Sequence, residues 1–224
     1  MVIDMNFDET KLLDLLRDLQ AALGASLDSL GGKTSGGLVQ SYLVYSAIHT
    51  NKAVEGYINL RDSGRIDASK LLIRPALEAC IRMLAVGGKP EMMFRIAFSE
   101  FGEDKKWARP LGQAESIAAI DQQWQDFKKT YAAKYPQHPL NETTLSLLDA
   151  AQSVGLEKYY DSHFRLYCRF THAAFRAITG DLDNFDPVDN RTMAFCTYVA
   201  IDVLRSIGAS AAGLAEFKQR LNSL

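Results

Sequence analysis

An all-α single helical bundle of about seven helices is the fold class predicted for this 224-residue chain. Three observations predict it. Apolar residues recur at helical spacing almost from end to end. No strand-like alternation runs longer than four residues, and 6 Pro with 15 Gly are too few for a loop-rich fold. The composition, 47% hydrophobic and 23% charged, is that of an ordinary globular protein and excludes a disordered or collagen-like chain. A chain of this length hides roughly 70–75% of its unfolded surface, enough for one sizeable core. We therefore read residues 1–224 as a single domain, an amphipathic N-terminal helix over 1–30 followed by a main bundle over 38–221.

Leu12, Leu13, Leu15, Leu16, Leu19, Leu23 and Leu27 mark the first helix, with Asp8 as a candidate N-cap. The run Gly31-Gly32-Lys33-Thr34-Ser35-Gly36-Gly37 breaks the pattern. It holds Gly, Lys and Thr, but a phosphate loop needs a preceding strand and GxxxxGK[ST] order, so this run reads as a helix–helix connector. Tyr42, Tyr45, Val54, Tyr57 and Leu60 define a second helix stopped by Asp62-Ser63-Gly64. A third is expected over about 67–86, kinked where Pro75 removes the donor to the Leu71 carbonyl. Residues 90–135 read as one long or two shorter helices anchored by Trp107 and Trp124, with Arg109-Pro110-Leu111-Gly112 as the candidate separator. A short helix over about 143–154 and two more, near 156–178 and 187–221, complete the bundle.

Charge and targeting narrow the classes. Lys plus Arg total 25 and Asp plus Glu 27, a net charge of −2, which excludes a globally basic nucleic-acid coat but not a local basic patch. The acidic opening Met1-Val2-Ile3-Asp4 lacks the positive start of a secretory signal, and no run of 18 apolar residues exists. Cys80, Cys168 and Cys196 are widely spaced and odd in number, which fits buried thiols of a reducing compartment better than disulfides or a metal pair. A cytoplasmic protein with no membrane contact is the expectation.

Arg165, Arg169, His172 and Arg176 are spaced 4, 3 and 4. They fall within an arc of about 60° on one helix face, opposite Tyr160, Phe164, Tyr167 and Phe170. Such a stripe can hold a phosphodiester and move a proton near neutral pH; it is equally the pattern of a solvated face, with Arg165 paired to Asp161. On the third helix Lys70, Arg74, Glu78 and Arg82 form an i, i+4 ladder. An Arg74–Glu78 pair bracketing Pro75 can wall a polar site or fix helix register. Asp202 is the only charged side chain between Thr192 and Leu204. Either it is buried and paired with Arg74 or a stripe arginine, or it lies on the helix's exposed edge.

Asp181, Asp183, Asn184, Asp186 and Asp189 suggest calcium, but position 5 counted from Asp181 is Phe185 and position 12 is Thr192, so the EF-hand pattern fails. Asp186-Pro187-Val188-Asp189 matches a helix start instead. No histidine spacing supports a metal, and no cofactor is implied.

The stretch Arg74-Pro75-Ala76-Leu77-Glu78, with the late Tyr-rich segment from Tyr159 to His172, resembles an uncharacterised bacterial all-helical family. More distantly the chain is similar to the HEPN superfamily, helical bundles that include many metal-independent ribonucleases. That group's signature is Arg, four to six residues, then His; Arg165 and His172 satisfy it with six between. Leu166 departs from the polar residue often found after the signature Arg. The resemblance implies an RNA-binding protein or endoribonuclease in which Arg165 holds the phosphate and His172 is the acid or base, duplicated across a homodimer. Arg74, Glu78, Arg169 and Asp202 would support them. Two other readings stand beside it. One is a non-enzymatic module that binds a protein partner or small ligand. The other is a small-molecule enzyme built on Arg74, Glu78, His172 and Asp202.

Overall fold

The structure, a computed structural model, describes residues 9–30, 37–110, 112–171, 186–210 and 214–223. These residues form helices throughout: α1 (Glu9–Ser29), α2 (Leu38–Asp62), α3 (Ile66–Lys70), α4 (Ile73–Gly88), α5 (Met92–Ala108), α6 (Ala114–Lys134) and α7 (Leu147–Ser153). A short α8 (Glu157–Tyr159) then passes through a π-helical turn (Tyr160–Phe164) into α9 (Arg165–Thr171). Two more, α10 (Asp186–Ser206) and α11 (Leu214–Ser223), close the chain. Nine of these are seven residues or longer, so the all-α class holds and the count of about seven is low. The difference comes from breaks that periodicity alone passes over. The helix expected over 187–221 is two, parted at Gly208, whose φ is +98°.

α1, α2, α4 and α10 pack against one another as the centre of the bundle. α1 turns Leu12, Leu15, Leu16, Leu19 and Leu23 inward, each no more than 1% exposed. A fully buried leucine contributes about 1.5–3 kcal/mol relative to an exposed one, so this stripe fixes how α1 lies along α10. α2 ends as its stop signal predicts. Gly64 takes φ +73° and the Arg65 amide donates to the Leu60 carbonyl at 2.8 Å, a left-handed cap that a residue with a Cβ resists.

The Arg-Pro segment differs from the expected kinked helix. α3 stops at Lys70, the Leu71 and Leu72 amides turn to the carbonyls three residues back, and α4 restarts at Ile73. Pro75 is therefore the third residue of a new helix, where a missing amide hydrogen leaves no ladder bond broken. The kink is replaced by a tight break, and α4 leaves it at its own angle.

α5 and α6 form a hairpin with a separate aromatic core. Phe94, Trp124 and Tyr131 are buried, joined by Phe98, Phe101, Phe127 and Tyr135. Phe94 and Trp124 sit 5.1 Å apart, and Trp124 stacks on Phe127 at 5.6 Å. Trp124 is the anchor expected of it; Trp107 is not, being 76% exposed.

A polar seam joins α2, α9 and α10. The Tyr57 hydroxyl donates to Asn190 Oδ1 at 2.7 Å, and the Tyr167 hydroxyl to Asp189 Oδ1 at 2.6 Å, all four residues fully buried. Asp189, expected as an acid of the α10 start, is thus an interior acceptor. The carboxylate facing it, together with burial, pushes the Tyr167 hydroxyl far above its usual range.

Candidate functional site

α2 carries two faces. Leu43, Ala47, Thr50, Val54 and Tyr57 face the core. Tyr42, Tyr45, His49 and Lys52, at spacings of 3, 4 and 3, line a cleft instead. α4 repeats the division. Ile73, Leu77 and Cys80 are buried, while Pro75, Glu78, Ala79 and Arg82 form the opposite wall of the cleft. Glu100 of α5 closes it. The cavity is about 660 Å³, within the range of small-molecule sites.

A three-residue ion-pair chain crosses the α4–α5 wall. Arg82 donates through Nη2 to Glu78 Oε1 at 2.9 Å and through Nη1 to Glu100 Oε1 at 3.3 Å. Burial pushes the Glu100 carboxyl above the usual carboxylate range; Arg82 opposes the shift, and Asp104 and Glu78 add to it. Burial also raises the Tyr42 hydroxyl, again against Arg82, so Tyr42 stays neutral and able to donate. On the α2 wall His49 and Lys52 are exposed and have no hydrogen bond or ion pair among the described residues. One wall thus holds charge already engaged, and the other holds donors with nothing to bind. Among the described residues no group of three or more His, Cys, Asp or Glu side chains is arranged to hold a metal.

Of the candidate site residues, Glu78 is the one placed in this cleft among the described residues, together with Arg82 of the same ladder and Pro75. Its expected partner Arg74 is not paired with it: the Arg74 guanidinium lies 5.6 Å over the Phe164 ring, and Glu78 turns to Arg82 one turn on. Arg165 is 64% exposed, with Nε 3.0 Å from Asp161 and its guanidinium 5.8 Å over Tyr160. Asp202 sits on the exposed edge of α10 and forms no ion pair among the described residues, so the pairing with Arg74 is not made. The Arg169 side chain and all of His172 and Arg176 lie outside the described residues. Sequence reasoning missed Tyr42, His49, Lys52 and Glu100. Tyr42 and Tyr45 enter there only as markers of the helix period, His49 and Lys52 carry no motif, and nothing local ties Glu100 to Arg82.

Fold and cleft together define an all-helical bundle with an open, polar, interhelical pocket. The chain belongs to a family of unknown function, DUF5677, whose model matches residues 39–190. That span takes in α2, α4 and α5, hence every wall of the cleft, and leaves α1 and α11 outside. No curated protein and no solved structure matches the chain.

Proposed function

We propose that this protein binds a small polar molecule in the cleft between α2, α4 and α5. The observation that carries the reading is the unengaged pair His49 and Lys52, facing the Glu78–Arg82–Glu100 chain across a cavity of about 660 Å³. Exposed side chains on a convex face have water and ions for partners. In a concavity the same groups concentrate field and exchange water for ligand readily.

The test is a thermal-shift screen of the wild-type chain and of Ala79→Trp, which fills the cleft wall, against a broad panel of polar metabolites. Compounds that raise the melting temperature of the wild type and leave Ala79→Trp unmoved support the reading, provided the variant keeps its helical circular-dichroism spectrum. A panel in which no compound separates the two proteins overturns it.

A second proposal rests on Arg165, whose guanidinium is open to a polymer too large for the cleft. In it the protein binds or cleaves RNA through Arg165 and His172, as the HEPN resemblance implies, and its test is cleavage by the wild type against His172→Ala.

A further inference from the structure

The charges of the cleft select among ligands. On the α4–α5 wall two carboxylates share one guanidinium, so Glu78 and Glu100 carry one negative charge that Arg82 does not offset. Their side chains are 33% and 56% exposed, which leaves carboxylate oxygen open to the cavity beside the bonds to Arg82. Burial is what chiefly raises the Glu100 carboxyl, with Asp104 and Glu78 adding to it against Arg82. On the α2 wall Lys52 supplies one positive charge with no partner among the described residues, and His49 stands one turn before it. Ile48 of α2 and Pro75 and Ala79 of α4 add apolar surface to the lining.

A simple cation satisfies the glutamates and leaves Lys52 facing it. A phosphate or other dianion satisfies Lys52 and is set against the glutamates. A ligand with an ammonium at one end, an acid at the other and carbon between matches both walls. It also leaves the cleft's charge unchanged, since Lys52 and Arg82 already balance Glu78 and Glu100.

Resting on the reading of the cleft as a ligand pocket, we propose that its ligand is an ω-amino acid, a zwitterion whose ammonium and carboxylate stand at opposite ends of a carbon chain. The ammonium sits against Glu78 and Glu100, the carboxylate against Lys52 and His49, and the carbon chain between them along Ile48, Pro75 and Ala79. The Tyr45 ring, 70% exposed at the rim, gains a surface to cover.

The experiment is calorimetric titration of the full chain with ω-amino acids of graded chain length, and then with the N-acetyl and the carboxamide forms of whichever binds. The free amino acid should bind at least about tenfold more tightly than either blocked form, the effect expected for losing one charge-assisted contact. Lys52→Met should erase the preference over the carboxamide and keep the preference over the N-acetyl form; Glu100→Gln should do the reverse. Equal binding of a blocked form, or variants that fail to separate the two preferences, overturns the zwitterion assignment. If no ω-amino acid binds but the metabolite screen finds a compound that Ala79→Trp excludes, the zwitterion falls and the cleft reading stands. If neither screen finds one, both fall.

Discussion

Two acid–guanidinium pairs in this molecule share spacing and length. Glu78 and Arg82 meet at 2.9 Å on α4, Asp161 and Arg165 at 3.0 Å where the π-helical turn enters α9, and both are i, i+4 with the acid first. Their surroundings are opposite. The first pair is 33% and 27% exposed, extended to Glu100 by a second bond and faced by α2 across the cleft. The second is 57% and 64% exposed, with the Tyr160 ring of its own segment 5.8 Å from the cation. Helical spacing makes a pair in either place. A second and third helix closing over it make a site, because they remove water and bring charges the first helix does not own.

The largest effect expected lies beneath the second pair rather than in it. α9 is held by its inner face, where the buried Tyr167 hydroxyl donates to Asp189 at 2.6 Å. Tyr167→Phe removes a donor from an interior carboxylate, and a hydrogen bond to a charged group is worth about 1.5–3 kcal/mol. Thermal or urea unfolding should report a loss of that size with ligand affinity unchanged. A loss near zero means that the seam between α9 and α10 does not hold the helix.

Next comes the first pair. Arg82→Met leaves Glu78 and Glu100 adjacent with no cation between them. Allowing for their partial exposure, the loss should be about 1 kcal/mol at pH 7. It should shrink as acid protonates the carboxyls, and the same substitution at Arg165 should show neither feature. A pH-independent loss assigns the effect to packing of the arginine stem.

Acid should also move the two regions in opposite directions. Burial raises Glu100 above 4.5, so its stabilising contribution is complete below 4.5 and is lost as pH rises through the folded value. Burial lowers His163, which stacks on Tyr159 at 3.9 Å in the π-helical turn, below 6.5. Its contribution is complete above 6.5 and is lost as pH falls through the folded value. The two slopes have opposite sign, so the wild-type curve records their sum. Urea midpoints against pH should separate them: Glu100→Gln removes the loss on the alkaline side and His163→Gln the loss on the acid side. Variants that leave the slope unaltered place those groups in a solvent-like setting.

What sequence reads well here is what one helix decides for itself. The leucines of α1 and the Gly64 stop are visible because burial and capping follow local period and local backbone chemistry. Pro75 reads as a kink inside one helix on the same grounds, and the structure has a break instead. The apolar period runs unbroken through it, and a proline inside a long helix and one in the first turn of a new helix look alike until the Leu71–Leu72 turn is seen. Glu78 is legible as a step of an i, i+4 ladder, although the partner expected for it is Arg74 and the one it takes is Arg82. Glu100 is not legible, since it meets Arg82 across 18 residues, nor is Asp189, which meets Tyr167 across 22. His49 and Lys52 carry no motif, and only the arrival of α4 and α5 makes their face of α2 a wall.

The smallest effect should come from Arg165→Ala, and its smallness gives it use. An exposed i, i+4 ion pair contributes about 0.3–0.5 kcal/mol, and the Arg165 guanidinium lies 5.8 Å over the Tyr160 ring of its own segment. Unfolding midpoint and ligand affinity should therefore both match the wild type within that margin. A loss above about 1 kcal/mol means the α9 surface is tied down more firmly than its exposure indicates, and the contrast between the two pairs narrows. If folding is untouched, the substitution becomes a clean probe of chemistry on that face. An RNA-cleaving activity present in the wild type and absent from this variant belongs to the guanidinium itself, and the exposed pair, rather than the cleft, is then the functional one.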